Sequence, residues 1–567
     1  MLTFREWGVV RILSVSMVNI NKLFGMIRGH RILLLGILCL FGFYAVLASS
    51  LQNGISKTKD EKSRIYLIHS DVLFKTKYDQ RAEILVGNVQ LSHEGAVLYC
   101  DSARFYRADN SFDAFGRVKM VQGDTLKLFS DTLFYKGDNM TAHALGSVKL
   151  YHRDSRLETE FLDYFRLEDL GVYHDGGSLY DKDNVLVSDW GQYMINKHEA
   201  FFRDSVILTN PKFVLKSNQL YYYTDTEIAK IVSPTEITAD DGTFVYSENG
   251  RYDTKNGWAD LLDRSHIIRD MRRVEGDSLH YDKNSHLSEA FGNVSIIDAD
   301  NYCMLLGNHC VYNDSTGYAM ATDSAVAIDY SSPDTLYVHG DTLKMFTYNI
   351  NTDSVYRNLH VYHKVRMFRN DVQGVCDSLV SLSKDSCTYL YGQPIIWNEQ
   401  QQIFGEEIRV YNNDSTIDWV HVVNQAMTVE KVDSVSYNQV ASQEMFTYFL
   451  GGEIEHSEAH GNVYVAYFIN EDDGTKIGMN YTETSLLHLY MKERKVHKIW
   501  MPESVGKLYP ADMIPSDRRY LNGFAWFDYI RPKSKDDIFE WKSKDAKDML
   551  KTSEKKIVPL QKLDNLR

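Results

Sequence analysis

Two histidines flank a carboxylate in His456-Ser457-Glu458-Ala459-His460, residue types that can ligate a divalent transition metal. Two acidic runs, Asp240-Asp241-Gly242 and Glu471-Asp472-Asp473-Gly474, offer the hard oxygens that calcium takes. Neither makes a metal set. The histidine motif lies among alternating strand residues, where positions i and i+4 share a face but stand more than ~13 Å apart. The acidic runs lack the alternating ligands of a calcium loop and read as solvated turns. With no GxSxG, HExxH or Walker loop either, the sequence carries no recognisable catalytic set, and we expect no enzyme, no cofactor and no metal.

Thiol chemistry is the other candidate. Cys39 lies inside an apolar N-terminal run, which leaves Cys100, Cys303, Cys310, Cys376 and Cys387, an odd number. At least one thiol therefore stays unpaired or pairs between chains. Cys303 with Cys310 and Cys376 with Cys387 are candidate cross-strand disulfides in an oxidising compartment, and burial as small hydrophobes is the equal alternative. No CxxC spacing occurs.

With no chemistry to position, the elements themselves become the question. The 567 residues are 44% hydrophobic and 13% aromatic, with 37 Tyr, 26 Phe and only 9 Pro, a balance that favours strands. A formal net charge of −15 excludes a nucleic-acid binder, which needs a concentrated basic surface. At the N-terminus, Arg28 and Arg31 precede the apolar run Ile32 to Leu47, followed by Ala48, Ser49 and Ser50. That order is a secretory signal over residues 1–50, with Met26 as an alternative start. Export to an extracytoplasmic compartment follows, with an uncleaved inner-membrane anchor as the alternative.

One spacing recurs. Asp131-Thr132 is followed after fifteen residues by Gly146, in Ala144-Leu145-Gly146-Ser147-Val148-Lys149-Leu150. Asp101 stands in the same relation to Gly116, with Val118 and Met120 beyond, and Asp277 to Gly292, with Val294 and Ile296 beyond. Weaker copies keep the interval at Asp377 and Gly392, Asp189 and Asp204, Asn218 and Ser233, and Asn308 and Asp323. Val86-Gly87-Asn88-Val89-Gln90-Leu91 opens the series, and Ala459-His460-Gly461-Asn462-Val463 closes it. The chain thus repeats about every thirty residues in halves of about fifteen.

Each half alternates apolar and polar positions, the period of a strand with one buried face. Polar clusters such as Lys136-Gly137-Asp138-Asn139 and Asp282-Lys283-Asn284-Ser285 reverse the chain. The fold expected is all-β, an elongated antiparallel stack of rungs about fifteen residues long. Each glycine marks a bulge or bend where a Cβ would clash or φ must turn positive. Over about 400 residues this gives roughly 27 rungs and, at ~4.8 Å per rung, a length near 130 Å. Such dimensions suit a bridge better than a reaction vessel.

The repeated Asp-Ser/Thr-x-x-x-Tyr and Ala-x-Gly-x-Val-x-apolar frame behind a signal resembles the OstA-like, or LptA-like, proteins of lipopolysaccharide export, clearest over 83–150 and 276–298. The length and the segment from Tyr509-Pro510 to Arg531-Pro532 are similar to the larger OstA-like proteins of the Bacteroidetes. The resemblance implies a taco-like β-jellyroll whose apolar interior holds acyl chains as lipopolysaccharide or lipid A crosses the periplasm to the outer membrane. It implies Val89, Leu91, Val118, Met120, Leu133, Tyr135, Val148, Leu150, Leu279, Tyr281, Val294 and Ile296 as groove residues. Alternation alone leaves open whether these line a groove or pack against one another. Implied partners are export proteins of the inner and outer membranes, and open strand edges would permit edge-to-edge self-association.

The layout expected is a signal over 1–50, a lead-in over 51–82 and the repeats over 83–500, in two or three consecutive units. An aromatic and proline-containing segment, 501–533, follows as a cap or docking surface, then a charged tail, 534–567, with a short helix and a disordered end. A structural scaffold and a glycan-binding β-solenoid of the envelope are the rival readings.

Overall fold

The computed structural model describes residues 63–544, apart from 78–79, 351, 414–415, 452, 472–473 and 493–494. The signal expected over 1–50 and the end of the tail, 545–567, lie outside the described residues. Among the described residues there are 38 strands in one sheet and three 3-10 turns. The all-β antiparallel expectation holds.

Apolar alternation explains the strands, and the Asp–Gly interval explains their bend. The six strands from Glu83 to Phe165 are 11 or 12 residues long and pair in order through hairpins. In Thr141–His152 the register breaks between Leu145 and Val148, and the two residues left out, Gly146 and Ser147, take φ of 78° and 45°. The same break falls between Phe115 and Val118, Arg203 and Val206, Phe291 and Val294, Tyr362 and Val365, and His460 and Val463. Each break folds a strand into two arms. Stacked arms make two walls: wall A from segments such as 111–115 and 141–145, wall B from 118–122 and 148–152. They face each other closely enough that His93 Nδ1 on wall B meets the Tyr135 hydroxyl on wall A at 2.8 Å.

Gly146 is required twice at its corner, by its φ and by Asp131, whose Oδ2 would stand 2.6 Å from a Cβ there. Fifteen residues is the path from Asp131 along its strand, round the hairpin and back to the corner. Elsewhere the carboxylate also ties down the second bulge residue: Arg117 Nη2 donates to Asp101 Oδ1 at 2.7 Å, and Asn293 Nδ2 to Asp277 Oδ2 at 2.9 Å. The weaker copies preserve the corner through the backbone, with Asp189 N donating to Asp204 O at 3.0 Å and Asn308 N to Asp323 O at 2.8 Å. Gly123 separates the two costs, since its φ is +57° but a Cβ there meets nothing within 4 Å. We expect Gly123→Ala to lose about 1 kcal/mol and Gly146→Ala about 2–3 kcal/mol in urea denaturation. Equal losses would refute the role of Asp131.

Past Pro510 the chain leaves the sheet and returns along the outward face of wall B. Leu521 and Phe524 pack on Met427, Val429, Ala441 and Ala466, and Phe527 and Ile530 on Val375, Ile395 and Trp397. The strap is held through its backbone. Gln402 donates from Nε2 to Ala525 O at 2.9 Å, and its Oε1 accepts from Phe527 N at 2.8 Å; Gln439 does the same for Arg519 O at 3.0 Å and Leu521 N at 2.8 Å. The segment expected as an end cap or docking surface is thus a strap over the sheet. The first part of the expected charged tail joins it: the 3-10 turn Asp537–Phe539 buries Ile538, and Phe539 lies 5.0 Å from the His339 ring.

Candidate functional site

The interior between the walls is the candidate site, and pairing registers trace its rows of side chains. On wall B one row runs Leu91, Leu98, Met120, Leu128, Leu150, Leu157, rung after rung. It continues through Leu179, Leu186, Leu208 and Leu215 to Ile237, Val245, Ile267, Val274, Ile296 and Leu305. All twelve residues implied as groove-lining point inward and are buried, from 0% exposed at Val89 to 9% at Tyr281. In this half they pack against one another. The row loosens only slightly beyond Ile237, where Ile237, Val245, Ile267 and Tyr281 border a cavity of about 20 Å³, room for a single water.

Wall A carries a tyrosine row of which the sequence pointed to only two members, Tyr135 and Tyr281. Tyr135, Tyr164, Tyr193, Tyr222, Tyr252, Tyr281 and Tyr312 each pair across the next strand with a small residue, Ala142, Gly171, Ala200, Ala229, Ala259, Ser288 and Ala319. The alternation gives every ring a shallow neighbour to lie against, which neighbouring large side chains at the ~4.8 Å strand spacing would deny it. Each partner stands seven residues after its tyrosine, a Tyr-x6-small signal visible in the sequence.

The tyrosine hydroxyls reach the mouth of the fold, where hairpin turns of the two walls meet, and there they join a polar seam. Arg166, from a wall A turn, donates to Tyr135 Oη at 2.7 Å and to Glu94 O, in a wall B turn, at 2.9 Å. The Tyr164 hydroxyl donates to Asp169 at 3.1 Å and the Tyr222 hydroxyl to Asp181 at 2.8 Å, while Asn184 Nδ2 donates to Tyr222 Oη at 2.9 Å. Lys182 pairs with Glu227 across the seam, Lys283 with Asp240 at 3.0 Å and Arg269 with Asp314 at 2.5 Å. Burial pushes the phenols of Tyr252 and Tyr281 up to about 12, so they stay neutral donors. This half of the interior is shut by its own side chains.

Histidines in the fold make it acid-sensitive. Burial holds His152, beside the Tyr193 hydroxyl at 3.2 Å, below the ordinary histidine range, with the charges of His198 and Arg153 acting the same way. Burial lowers His266, His339 and His360 too. The unfolded chain takes up protons near pH 6.5 and the folded chain only lower, so stability is whole above about pH 6.5 and falls as the pH drops below it. The urea midpoint should be lower at pH 5.5 than at 7.5, with a smaller difference in His152→Asn. A midpoint rising on acidification would contradict this.

Beyond Tyr312 the rows change character. The wall A row continues as Ala319, Met345, Leu359, Ser381, Thr388 and Val410. The wall B row continues as Leu305, Ala327, Val338, Met367, Gly374, Ile396, Ile403, Thr428, Val440 and Val465. From Met345 to Val410, and at Met367, Ile396, Ile403, Val440 and Val465, these inward side chains are only half-buried. Deeper, at the corner, Val361, Val365, Leu379, Leu390, Ile408 and Val422 stay buried. Here the interior is a trough, apolar but for Ser381, Thr388 and Thr428, with a closed floor.

The cysteine pairs are corrected by the register. Cys303 and Cys310 lie on one strand, Cys303–Asn313, facing Asp298 and Ala290 of the neighbouring strand. Seven residues of strand span about 23 Å, several times a disulfide's reach. Cys387 pairs with Leu382, not with Cys376. All five are free thiols, and burial pushes Cys100 and Cys310 up to about 12. His460 Nε2 and His488 Nδ1 approach Glu458 oxygens at 3.1 and 3.2 Å as imidazole–carboxylate pairs. Among the described residues no group of three His, Cys, Asp or Glu is placed to hold a metal. The acidic run at 240 is a turn, with Thr243 N donating to Asp241 Oδ1 at 3.0 Å.

Two bent, facing walls of antiparallel strands around an apolar interior define an all-β protein of the folded-trough type. The family described as OstA-like protein matches residues 62–218 of the chain. No curated protein matches the chain. The two-walled pairing continues past the matched stretch to the strand Val505–Pro510.

Proposed function

We propose that this chain is a periplasmic carrier of lipopolysaccharide or lipid A, holding acyl chains between its two walls while the lipid passes toward the outer membrane, with no covalent chemistry. One observation carries the reading. The inward row of wall B, without a polar side chain from Leu91 to Ile403, begins inside the OstA-like stretch and runs through successive rungs into a half-open trough. The secretory signal order supports export, and export proteins of the inner and outer membranes are the partners this reading requires.

The test is lipid extraction and mass spectrometry of the full exported chain purified from a lipopolysaccharide-producing envelope. Near-stoichiometric lipopolysaccharide or lipid A is the expected result, and a chain free of both would sink the reading. The shut interior from Leu85 to Ile231 favours a second reading, a scaffold, which predicts protein crosslinks and no lipid. Binding to purified polysaccharide without lipid would instead favour a glycan-binding module.

A further inference from the structure

We infer that the acyl-chain site of this protein lies in the trough between Val338 and Val465, and that the stretch matching the OstA-like family is a closed strut with no lipid in it. The inference rests on the carrier reading and assigns its site.

Two observations separate the halves. The wall A row holds a tyrosine in every second strand up to Tyr312 and none in its continuation through Met345, Leu359, Ser381, Thr388 and Val410, so the bulk that fills the mouth is gone. The polar seam reaches Arg357, which binds Asn301 at 2.9 Å and Asp298 at 3.3 Å, and the inward rows past it are half-buried.

The shape of the trough selects its occupant. Walls about 10 Å apart leave one layer of side chains, and trimming that layer opens a slot one hydrocarbon chain wide. An α-helix, about 10–12 Å across, does not fit. An extended peptide would bury its N–H and C=O groups against inward side chains, with no sheet edge to pair them. An acyl chain has no such groups, and the floor of Val361, Val365, Leu379, Leu390 and Ile408 offers it only hydrocarbon. The strap does not compete, because it lies on the outward side of wall B, against Ile395 and Trp397, while Ile396 between them points inward.

Photolabelling of the wild-type full chain tests the placement, using a palmitate analogue with a mid-chain diazirine and mapping the labelled peptides. Label should fall on peptides containing Met345, Met367, Ile403 and Val440, and at least tenfold less on those containing Leu128, Leu150 or Leu186. Ser381→Tyr, which restores a ring to the row, should cut trough labelling about tenfold while thermal melting shows the chain folded. If Ser381→Tyr does not fold, Val440→Trp fills the same slot from wall B. Label on the closed half, equal label on both halves, or undiminished label in a folded filled-slot variant overturns the placement. In each of those cases lipid still co-purifies and the carrier reading survives. No label and no co-purified lipid overturn both.

Discussion

Replacing Gln402 with leucine should cost about 3–5 kcal/mol, because one deletion strands three buried groups: the Phe527 N–H, the Ala525 carbonyl and the Trp397 indole, whose Nε1 donates to Gln402 Oε1 at 3.1 Å. Leucine fills nearly the same volume, so packing is largely kept and the loss reports hydrogen bonding. Gln402 is 0% exposed, and no water can take over the three partners without opening the strap. The effect should be local before it is global. Hydrogen exchange should speed up first over 519–530, with the tyrosine row around Tyr222 unchanged. Gln400→Leu, two residues away on an exposed side chain, should stay within about 0.5 kcal/mol of the parent. A Gln402→Leu urea midpoint indistinguishable from that of Gln400→Leu would mean the strap is held by apolar contact alone.

The strap also marks the limit of what the residues disclose in order. Its contacts join positions 402 and 525, or 439 and 519, which no periodicity links, and Gln402 in Gln400-Gln401-Gln402 reads as an ordinary polar position in an alternating strand. Local signals fared better. Asp131 and Gly146 are joined by one hairpin, so their interval is a constant of the geometry, and it announced both the rung and the corner. The inward direction of Val118, Met120, Val148 and Leu150 followed from alternation. Whether they meet each other or open space did not, because it depends on a different row. Tyr164 and Gly171, Tyr193 and Ala200, and Tyr222 and Ala229 stand seven residues apart and could have been read, yet their consequence needs both walls in place. The thiols show the opposite failure: Cys303 and Cys310 are close in sequence, but along a strand rather than across a turn.

That row makes the second large prediction. Tyr222→Ser should lose about 4 kcal/mol, chiefly from the cavity left by a ring with 0% exposure. Tyr222→Phe keeps the ring and loses only the hydroxyl between Asp181 and Asn184, at 2.8 and 2.9 Å, for about 1–2 kcal/mol. The ratio of the two losses divides the closure of the mouth into its filled and its latched parts. The serine variant goes further, because it gives the closed half the residue that Ser381 supplies in the open one. If side-chain bulk is what shuts this interior, folded Tyr222→Ser should acquire photolabel from the diazirine palmitate near Leu186 and Leu208, and Tyr222→Phe should not. Label in both would assign the closure to the hydroxyl seam; label in neither, with the cavity confirmed by the stability loss, would show that the neighbouring tyrosines, Tyr193 and Tyr252, are enough to keep the walls together.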